Sequence, residues 1–321
     1  MSLRDEVLGV LMLAGDRYCS GSGLAAQLNV SRTAIWKVIE QLKAEGVDIS
    51  SVTRRGYKLN AAPDVFNAAY FSSMTKHCKV QWKAQYFEEI GSTNDYAKEL
   101  AAKGAPAGTV IIADKQTAGK GRLGKHFHSP EGGLYMTILL RPDLPFSDMM
   151  AITACTASAV HEALAEFGIV TKIKWVNDLF LNGRKLCGIL SEGSFNAEML
   201  TMDYLVIGIG INLYPDPNLP EELRSIVTDI EAETGQKLRR FELCAAICRH
   251  LERFIDGILE RTYLPIYTEH SMTIGRMVQV KAAAGECIAK AVGYADDAGL
   301  IVEHADGTRE VIRTGTAVFV D

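Results

Sequence analysis

Between residues 171 and 210 four strand-like runs follow one another, and Asn182-Gly183 falls between Phe180-Leu181 and the apolar run that begins after Arg184. Asn-Gly suits a two-residue type I′ turn, because both central residues of that turn take positive φ. Strands joined so tightly are antiparallel neighbours. This feature excludes a regularly alternating α/β fold and requires an α+β layout built on a mixed sheet. Strand-like runs at 82–88, 109–113, 134–140, 171–175, 178–181, 186–192 and 203–210, with helical periodicity near 93–103, 148–167 and 239–260, make up this central part.

A chain of 321 residues is long enough for two or three domains. Its 48% hydrophobic and 23% charged content is that of an ordinary globular protein, with neither disorder nor membrane insertion indicated. A net charge of -5 argues against a protein that coats nucleic acid, which requires clustered Lys and Arg. Residues 1–60 alone carry eight Lys/Arg against six Asp/Glu, which suits a module that binds DNA under some conditions. The apolar run Val7–Ala14 follows Asp5 and Glu6 and ends at Asp16-Arg17 without a cleavage site, so it reads as an amphipathic helix rather than a signal peptide. Seven cysteines from Cys19 to Cys287, with no CxxC, point to free thiols in a reducing compartment, and the expected location is cytoplasmic.

The first sixty residues read as three helices and a hairpin. Helical periodicity covers Arg4 to Ala14, Ser22 to Leu28 and Arg32 to Glu45. Ser31 caps the third helix, whose Ile35, Val38, Ile39 and Leu42 share one face. Arg32, Thr33, Trp36, Lys37 and Gln41 are left outside, where a major-groove reader needs polar and basic groups. The hairpin from Ile49 to Leu59 reads as a wing, with Arg54 and Arg55 available to phosphate. Ser31, Arg32, Thr33, Trp36, Lys37, Arg54 and Arg55 are therefore the DNA-binding candidates, although a helical protein-interaction module would share the pattern. Ala61-Ala62-Pro63 breaks regular structure, so residues 1–62 are expected to form the winged helix-turn-helix.

Four constellations in the central part could carry chemistry. Gly91-Ser92-Thr93-Asn94-Asp95 joins a strand to a helix, and is either a plain N-cap or a ligand contact at a helix start. Gln116 through Lys125, with three glycines interleaved among Lys120, Arg122 and Lys125, is neither a P-loop nor a Rossmann fingerprint. It reads as a cationic flap able to order around an anion, or else as a disordered basic loop. Lys174 stands between Ile173 and Trp175, a costly place for an ammonium unless an anion pairs with it. Asn177 and Asp178 supply either a structural partner or a magnesium site there. Gly208 and Gly210 of Gly208-Ile209-Gly210-Ile211-Asn212 mark the close approach of a ligand or a bulge. His126 and His128 lack a third ligand at a zinc spacing, so no structural metal is expected.

Together these segments resemble the biotin protein ligases, specifically the bifunctional biotin–[acetyl-CoA-carboxylase] ligase that doubles as the biotin operon repressor. Ser92-Thr93-Asn94, Gln116–Lys125, Lys174–Asp178 and Gly208–Asn212 match the family's four motifs in order, over nearly the whole chain. Lys120 and Lys125 replace customary arginines, losing bidentate geometry, and Val176 replaces a proline. The resemblance implies that biotin and ATP, with Mg²⁺, form biotinyl-5′-AMP, which then modifies a lysine of a biotin carboxyl carrier protein. It implies Lys174 and Arg122 as catalytic. It places biotin at Ser92, Thr93, Asn94, Gln116, Lys120, Gly121, Arg122, Lys174 and Gly188, and ATP or adenylate at Lys120, Arg122, Lys125, Asn177, Asp178 and Asn212. It further implies a homodimer on biotin operator DNA with the adenylate as corepressor, a class II synthetase-like catalytic domain at 66–270, and an SH3-like β-barrel at 271–321. Strand runs at 277–281, 287–293, 300–304, 310–312 and 317–320 fit that barrel, and Arg313 is read as solvated rather than reaching the site. A lipoate or octanoate ligase would share fold and chemistry, but Lys174-Trp175-Val176-Asn177-Asp178 and the flap favour biotin. A non-catalytic biotin-sensing transcription factor would not need the retained Lys174 and Arg122.

Overall fold

The computed structural model describes residues 2–142, 144, 149–196, 201–282 and 285–320. Asp148, at the start of an expected helix, and Ala283-Ala284, in an expected turn, lie outside them. The chain divides between His77 and Cys78 into two compact units, the first of which also takes Arg239–Ala245.

The first unit begins with α1 (Leu3–Ala14), α2 (Gly21–Gln27) and α3 (Arg32–Ala44), whose N-caps are Ser2, Ser20 and Ser31. Each cap oxygen accepts a backbone N–H that the first helical turn leaves without a partner. Ile35, Ile39 and Leu42 of α3 are fully buried against Leu8, Leu11 and Leu24, each such side chain contributing roughly 1.5–3 kcal/mol. β1 (Ile49–Val52) and β2 (Gly56–Leu59) pair antiparallel, Ile49 opposite Leu59, as the wing. Gly56 has φ +103°, and a Cβ there would lie 2.1 Å from the Cys19 carbonyl oxygen. That contact allows Cys19 and Tyr57 to exchange backbone hydrogen bonds of 2.8 and 2.9 Å, which pin the wing to the segment before α2. α4 (Ala68–Met74) completes the unit up to residue 77.

The second unit holds a seven-stranded sheet of β3 (Lys83–Ile90), β4 (Thr109–Gln116), β5 (Gly133–Leu140), β6 (Lys172–Lys174), β7 (Asp178–Leu181), β8 (Arg184–Asn196) and β9 (Thr201–Asn212). Its order is β3-β4-β5-β9-β8-β7-β6. β3 and β4 are parallel, joined through α5 (Thr93–Ala102), while the other pairs are antiparallel. The expected mixed sheet is present, and Asn182 and Gly183 take φ +48° and +82° at the β7–β8 turn. β5 is buried along its whole length, and α6 (Met149–Ala165) packs its buried alanines on the β6, β7 and β8 part of the sheet. α7 (Ile230–Thr234), the part of α8 (Arg240–Asp256) from Ala246 onward, and α9 (Leu264–Glu269) follow. The pattern over 239–260 ran past the end of α8 because apolar Ile258 and Leu259 continue the hydrophobic run beyond the last helical turn.

The C-terminal strands β10 (Met277–Ala282), β11 (Gly285–Tyr294), β12 (Leu300–Glu303), β13 (Arg309–Ile312) and β14 (Thr316–Phe319) form one antiparallel sheet, ordered β13-β12-β11-β10-β14. β13 and β14 are its two edges, so among the described residues hydrogen bonding does not close the expected barrel. The segment between them presents the Gly315 carbonyl to the side chain of Arg122.

Candidate active site

A cavity of about 210 Å³ opens on the sheet, lined by Ser92, Thr93 and Asn94, by Gln116, by the 120–127 segment and by Gly188, Gly208 and Gly210. Its floor is a closed polar network. Ser92 caps α5, while Gln116 Oε1 accepts from the Thr93 backbone N–H (2.8 Å) and hydroxyl (3.0 Å). Fully buried Thr137 places its hydroxyl 2.6 Å from Asn94 Oδ1 and 2.8 Å from Thr93 Oγ1. Asn94 Nδ2 donates to Glu192 Oε2 (2.8 Å), and Gln116 Nε2 donates to Ser129 Oγ (3.1 Å). Buried groups satisfied so completely cannot reorient without losing bonds, so the floor is rigid. The two strand glycines make room for side chains rather than for another backbone. A Cβ on Gly208 would lie 2.3 Å from Asn94 Oδ1, and one on Gly210 2.4 Å from the Phe127 ring.

The flap is a short paired hairpin rather than an irregular loop. Phe127 N–H donates to the Gly119 carbonyl (2.9 Å) and Gly121 N–H to that of Lys125 (2.7 Å), with Lys120 opposite His126. Leu123 and Gly124 turn the tip with positive φ. Arg122 reaches inward, donating to Asn177 Oδ1 (3.1 Å) and to the Gly315 carbonyl (3.0 Å). Burial works against its charge, and Asp178 and Tyr267 offset that only in part. Lys120 turns outward to Asp95, 2.8 Å from Oδ1. Lys98 joins Asp95 to Glu192, each at 3.0 Å. Burial works to raise the Asp95 pKa, but the hydrogen bonds from Lys120 and Lys98 prevail and hold it below the ordinary aspartate value.

A second cavity of about 770 Å³ adjoins the first, the two sharing Lys125, His126, Phe127 and Lys185 as lining residues. Asn212 lines this second cavity, its Nδ2 donating to the Thr228 carbonyl (3.0 Å). Asn177 and Asp178 line the first. Lys185 Nζ lies 2.8 Å from Asp178 Oδ1 as an ion pair, without hydrogen-bond alignment. Lys174 lines neither cavity. Its half-buried ammonium rests 4.6 Å from the Phe319 ring centre and 5.8 Å from that of Phe180. Burial lowers its pKa; Asp178 raises it in part, and Lys185 and Arg276 lower it further.

The structure thus brings Ser92, Thr93, Asn94, Gln116, Lys120, Gly121, Arg122, Lys125, Asn177, Asp178 and Gly188 to one cavity, with Asn212 next door and Lys174 beyond the rim. Thr137, Glu192, Phe127 and Lys185 were not anticipated. Thr137 had a signal, a hydroxyl in the middle of the apolar run Leu134–Leu140. In the first unit, Ser31, Arg32, Thr33, Trp36 and Lys37 on α3 and Arg54 and Arg55 on the wing are all exposed. Arg55 stacks 4.1 Å over the Tyr18 ring.

A cation-rimmed pocket on a mixed sheet, following an N-terminal helix-turn-helix along the chain, is the architecture of an acyl-activating ligase coupled to DNA binding. Residues 86–212 match the biotin/lipoate A/B protein ligase family and residues 4–58 an HTH domain. The chain is 34% identical to the bifunctional ligase/repressor BirA of Bacillus subtilis over 316 residues, covering 97% of each. It is 32% identical to that of Escherichia coli over 252 residues, 77% of this chain and 75% of the relative. It also superimposes on the biotin protein ligase from Aquifex aeolicus in complex with biotin and ATP, with a TM-score of 0.63 and 28% identity over 73% of this chain and 97% of that one. The chain belongs to the biotin protein ligase family, in its bifunctional ligase/repressor branch.

Proposed function

We infer that the protein activates biotin with ATP, transfers it to a carrier protein, and represses transcription of the biotin operon. A carboxylate oxygen of biotin attacks the α-phosphorus of ATP, the bond to the bridging oxygen breaks, and pyrophosphate leaves with biotinyl-5′-AMP behind. The amine of a carrier lysine then attacks the acyl carbon, AMP departs and the amine loses its proton to solvent. The observation that carries this reading is the rigid floor of Thr93, Asn94, Gln116 and Thr137 under a cationic hairpin, beside a larger second cavity. The floor offers donors and acceptors to a ureido head. Arg122, Lys125 and Lys185 face the place where two anions must meet, and fixed cations stabilise the charge spread of that transition state. Lys174 and Arg122 are assigned the bridging role. The second cavity, with Asn212 on its wall, is assigned to the nucleotide.

Among the described residues no group of three His, Cys, Asp or Glu could hold a metal. Asp178 is the one carboxylate on the first cavity, and Lys185 already pairs with it. This set does not form a resident magnesium site, and Mg²⁺ is expected to arrive as the ATP complex. The N-terminal unit carries operator binding, with biotinyl-AMP as corepressor and a homodimer as the binding form. We read the catalytic sheet as class II synthetase-like and the C-terminal sheet as an SH3-like cap open at the β13–β14 seam. The three proposed domains are 1–62, 66–270 and 271–321. No described helix is long and apolar enough to cross a membrane, and the free cysteines suit a cytoplasmic location.

The test is exchange of labelled pyrophosphate into ATP. Exchange is expected with biotin and not with lipoate; the reverse pattern overturns the reading in favour of the lipoate branch of the same family.

A further inference from the structure

Phe319, on the last strand, is the nearer of the two rings against the Lys174 ammonium, the other being Phe180 of β7 at 5.8 Å. The Lys174 ammonium lies 4.6 Å from the centre of the Phe319 ring, and the Arg276 guanidinium carbon lies 4.4 Å from the same centre. Two cations on one aromatic ring is an arrangement that like-charge repulsion opposes unless the ring holds both. Lys174 has no ion pair or hydrogen bond from its ammonium among the described residues, since Asp178, directly opposite in the β6–β7 register, is engaged by Lys185.

We propose that Phe319 is a positioning residue for Lys174: its ring face keeps the ammonium charged and parked just outside the cavity until the carboxylate and phosphate of the substrates draw it in. The proposal rests on the reading of Lys174 as catalytic. A cation–π contact suits this task better than a carboxylate would. It favours the charged form of a half-buried lysine, yet an incoming anion easily outcompetes it, whereas a carboxylate partner would neutralise Lys174 and have to be displaced. The groups facing Lys174 are Asp178 and the more distant Phe180 ring from β7, Lys185 from β8, and Arg276 and Phe319 from the C-terminal sheet and the segment leading into it. Burial already depresses its pKa, and Arg276 pushes in the same direction. Adenylation therefore loses its charged lysine at lower pH than an ordinary lysine would allow, and the ring delays that loss.

The test is the pH profile of biotin-dependent pyrophosphate exchange by the full-length protein. Phe319→Leu keeps the bulk and removes the π face. The alkaline limb should then move to lower pH, giving about a threefold loss of kcat/KM on that limb and little loss below it. Phe319→Trp should restore the limb. Arg276→Gln removes a like charge and should move the limb the other way, to higher pH, an opposite sign that loss of packing alone would not produce. An unshifted limb in both Phe319→Leu and Arg276→Gln overturns the proposal, as does a shift of the same sign in both. Lys174→Ala separates the two ideas. If it retains near-normal exchange, the catalytic reading of Lys174 fails. If it is inactive while the Phe319→Leu and Arg276→Gln profiles match the parent, only the positioning role fails.

Discussion

The floor of the pocket and its cationic rim are built on opposite principles. Thr93, Asn94, Gln116 and Thr137 are neutral and linked by hydrogen bonds of 2.6 to 3.1 Å, with little freedom to move. Around it Lys120, Arg122 and Lys125, and just beyond the rim Lys174, are cations: Lys120 in an exposed ion pair, Arg122 on neutral oxygen acceptors, Lys125 exposed and Lys174 against a ring face. Recognition of a neutral head group gains from acceptors fixed in advance. Charge directed at a reaction gains from cations that no internal anion has already neutralised. The floor is therefore expected to set affinity, and the rim to set rate.

Removing a cation assigned to the reacting groups is the strongest way to break that contrast. Lys174→Ala and Arg122→Ala should each lower adenylate formation by about 10³ or more, comparable to or beyond the loss of an oxyanion-hole donor. Their melting temperatures should stay close to the parent's. Pyrophosphate exchange beside calorimetry checks this, and near-normal turnover of either variant would remove that residue from the mechanism.

A smaller effect, of the other kind, is expected at the floor. Thr137→Val replaces a hydroxyl by a methyl group of the same shape and strands Asn94 Oδ1 in a buried setting, while Thr93 Oγ1 keeps its bond to Gln116. An orphaned buried acceptor costs about 1–3 kcal/mol. The expected outcome is a drop in stability of that size to urea, with biotin affinity reduced about 10-fold or more as Asn94 loses its orientation. Titration calorimetry with biotin reads the second effect. A variant that is less stable but binds biotin as well as the parent would show that the network serves folding alone.

The sequence showed more of the architecture than of the site's wiring. Local patterns were legible because they are local. Asn182-Gly183 specified its turn, and the apolar spacing of Ile35, Val38, Ile39 and Leu42 placed α3 and exposed Arg32, Trp36 and Lys37. The four motifs come together because the end of β4, the β6–β7 turn, the end of β9 and the start of α5 gather around two adjoining cavities, with Lys174 just outside them. What stayed hidden depends on long-range contacts. Thr137 meets Asn94 only after β5 is laid between β4 and β9, and Phe319 reaches Lys174 across some 145 residues of chain. The glycines of Gly208-Ile209-Gly210 announced a close approach, but not that the visitors are the Asn94 and Phe127 side chains. The antiparallel C-terminal sheet was legible in five short strands but its closure was not, since strand count alone does not say whether the two edges pair.

The weakest expected effect lies where the rim touches the outside of α5. Lys120 pairs with Asp95 at 2.7 Å with both side chains close to half exposed, and such pairs contribute about 0–1 kcal/mol. Lys120→Ala should therefore destabilise the protein by less than about 1 kcal/mol at neutral pH. The sign of its pH dependence is fixed by Asp95, whose pKa the two lysines hold below the ordinary aspartate value. A carboxylate depressed in the folded state contributes stability above its unfolded pKa, and the contribution fades as pH falls through the folded value. The difference between Lys120→Ala and the parent should thus be present at pH 7 and shrink toward zero in acid below the normal aspartate range, in paired urea titrations. Were Lys120→Ala instead to lower the rate of adenylate formation as severely as Arg122→Ala, Lys120 would belong with the reacting cations. The line between rim residues that act on substrate and those that only tether the hairpin would then have to be redrawn around the whole of 120–125.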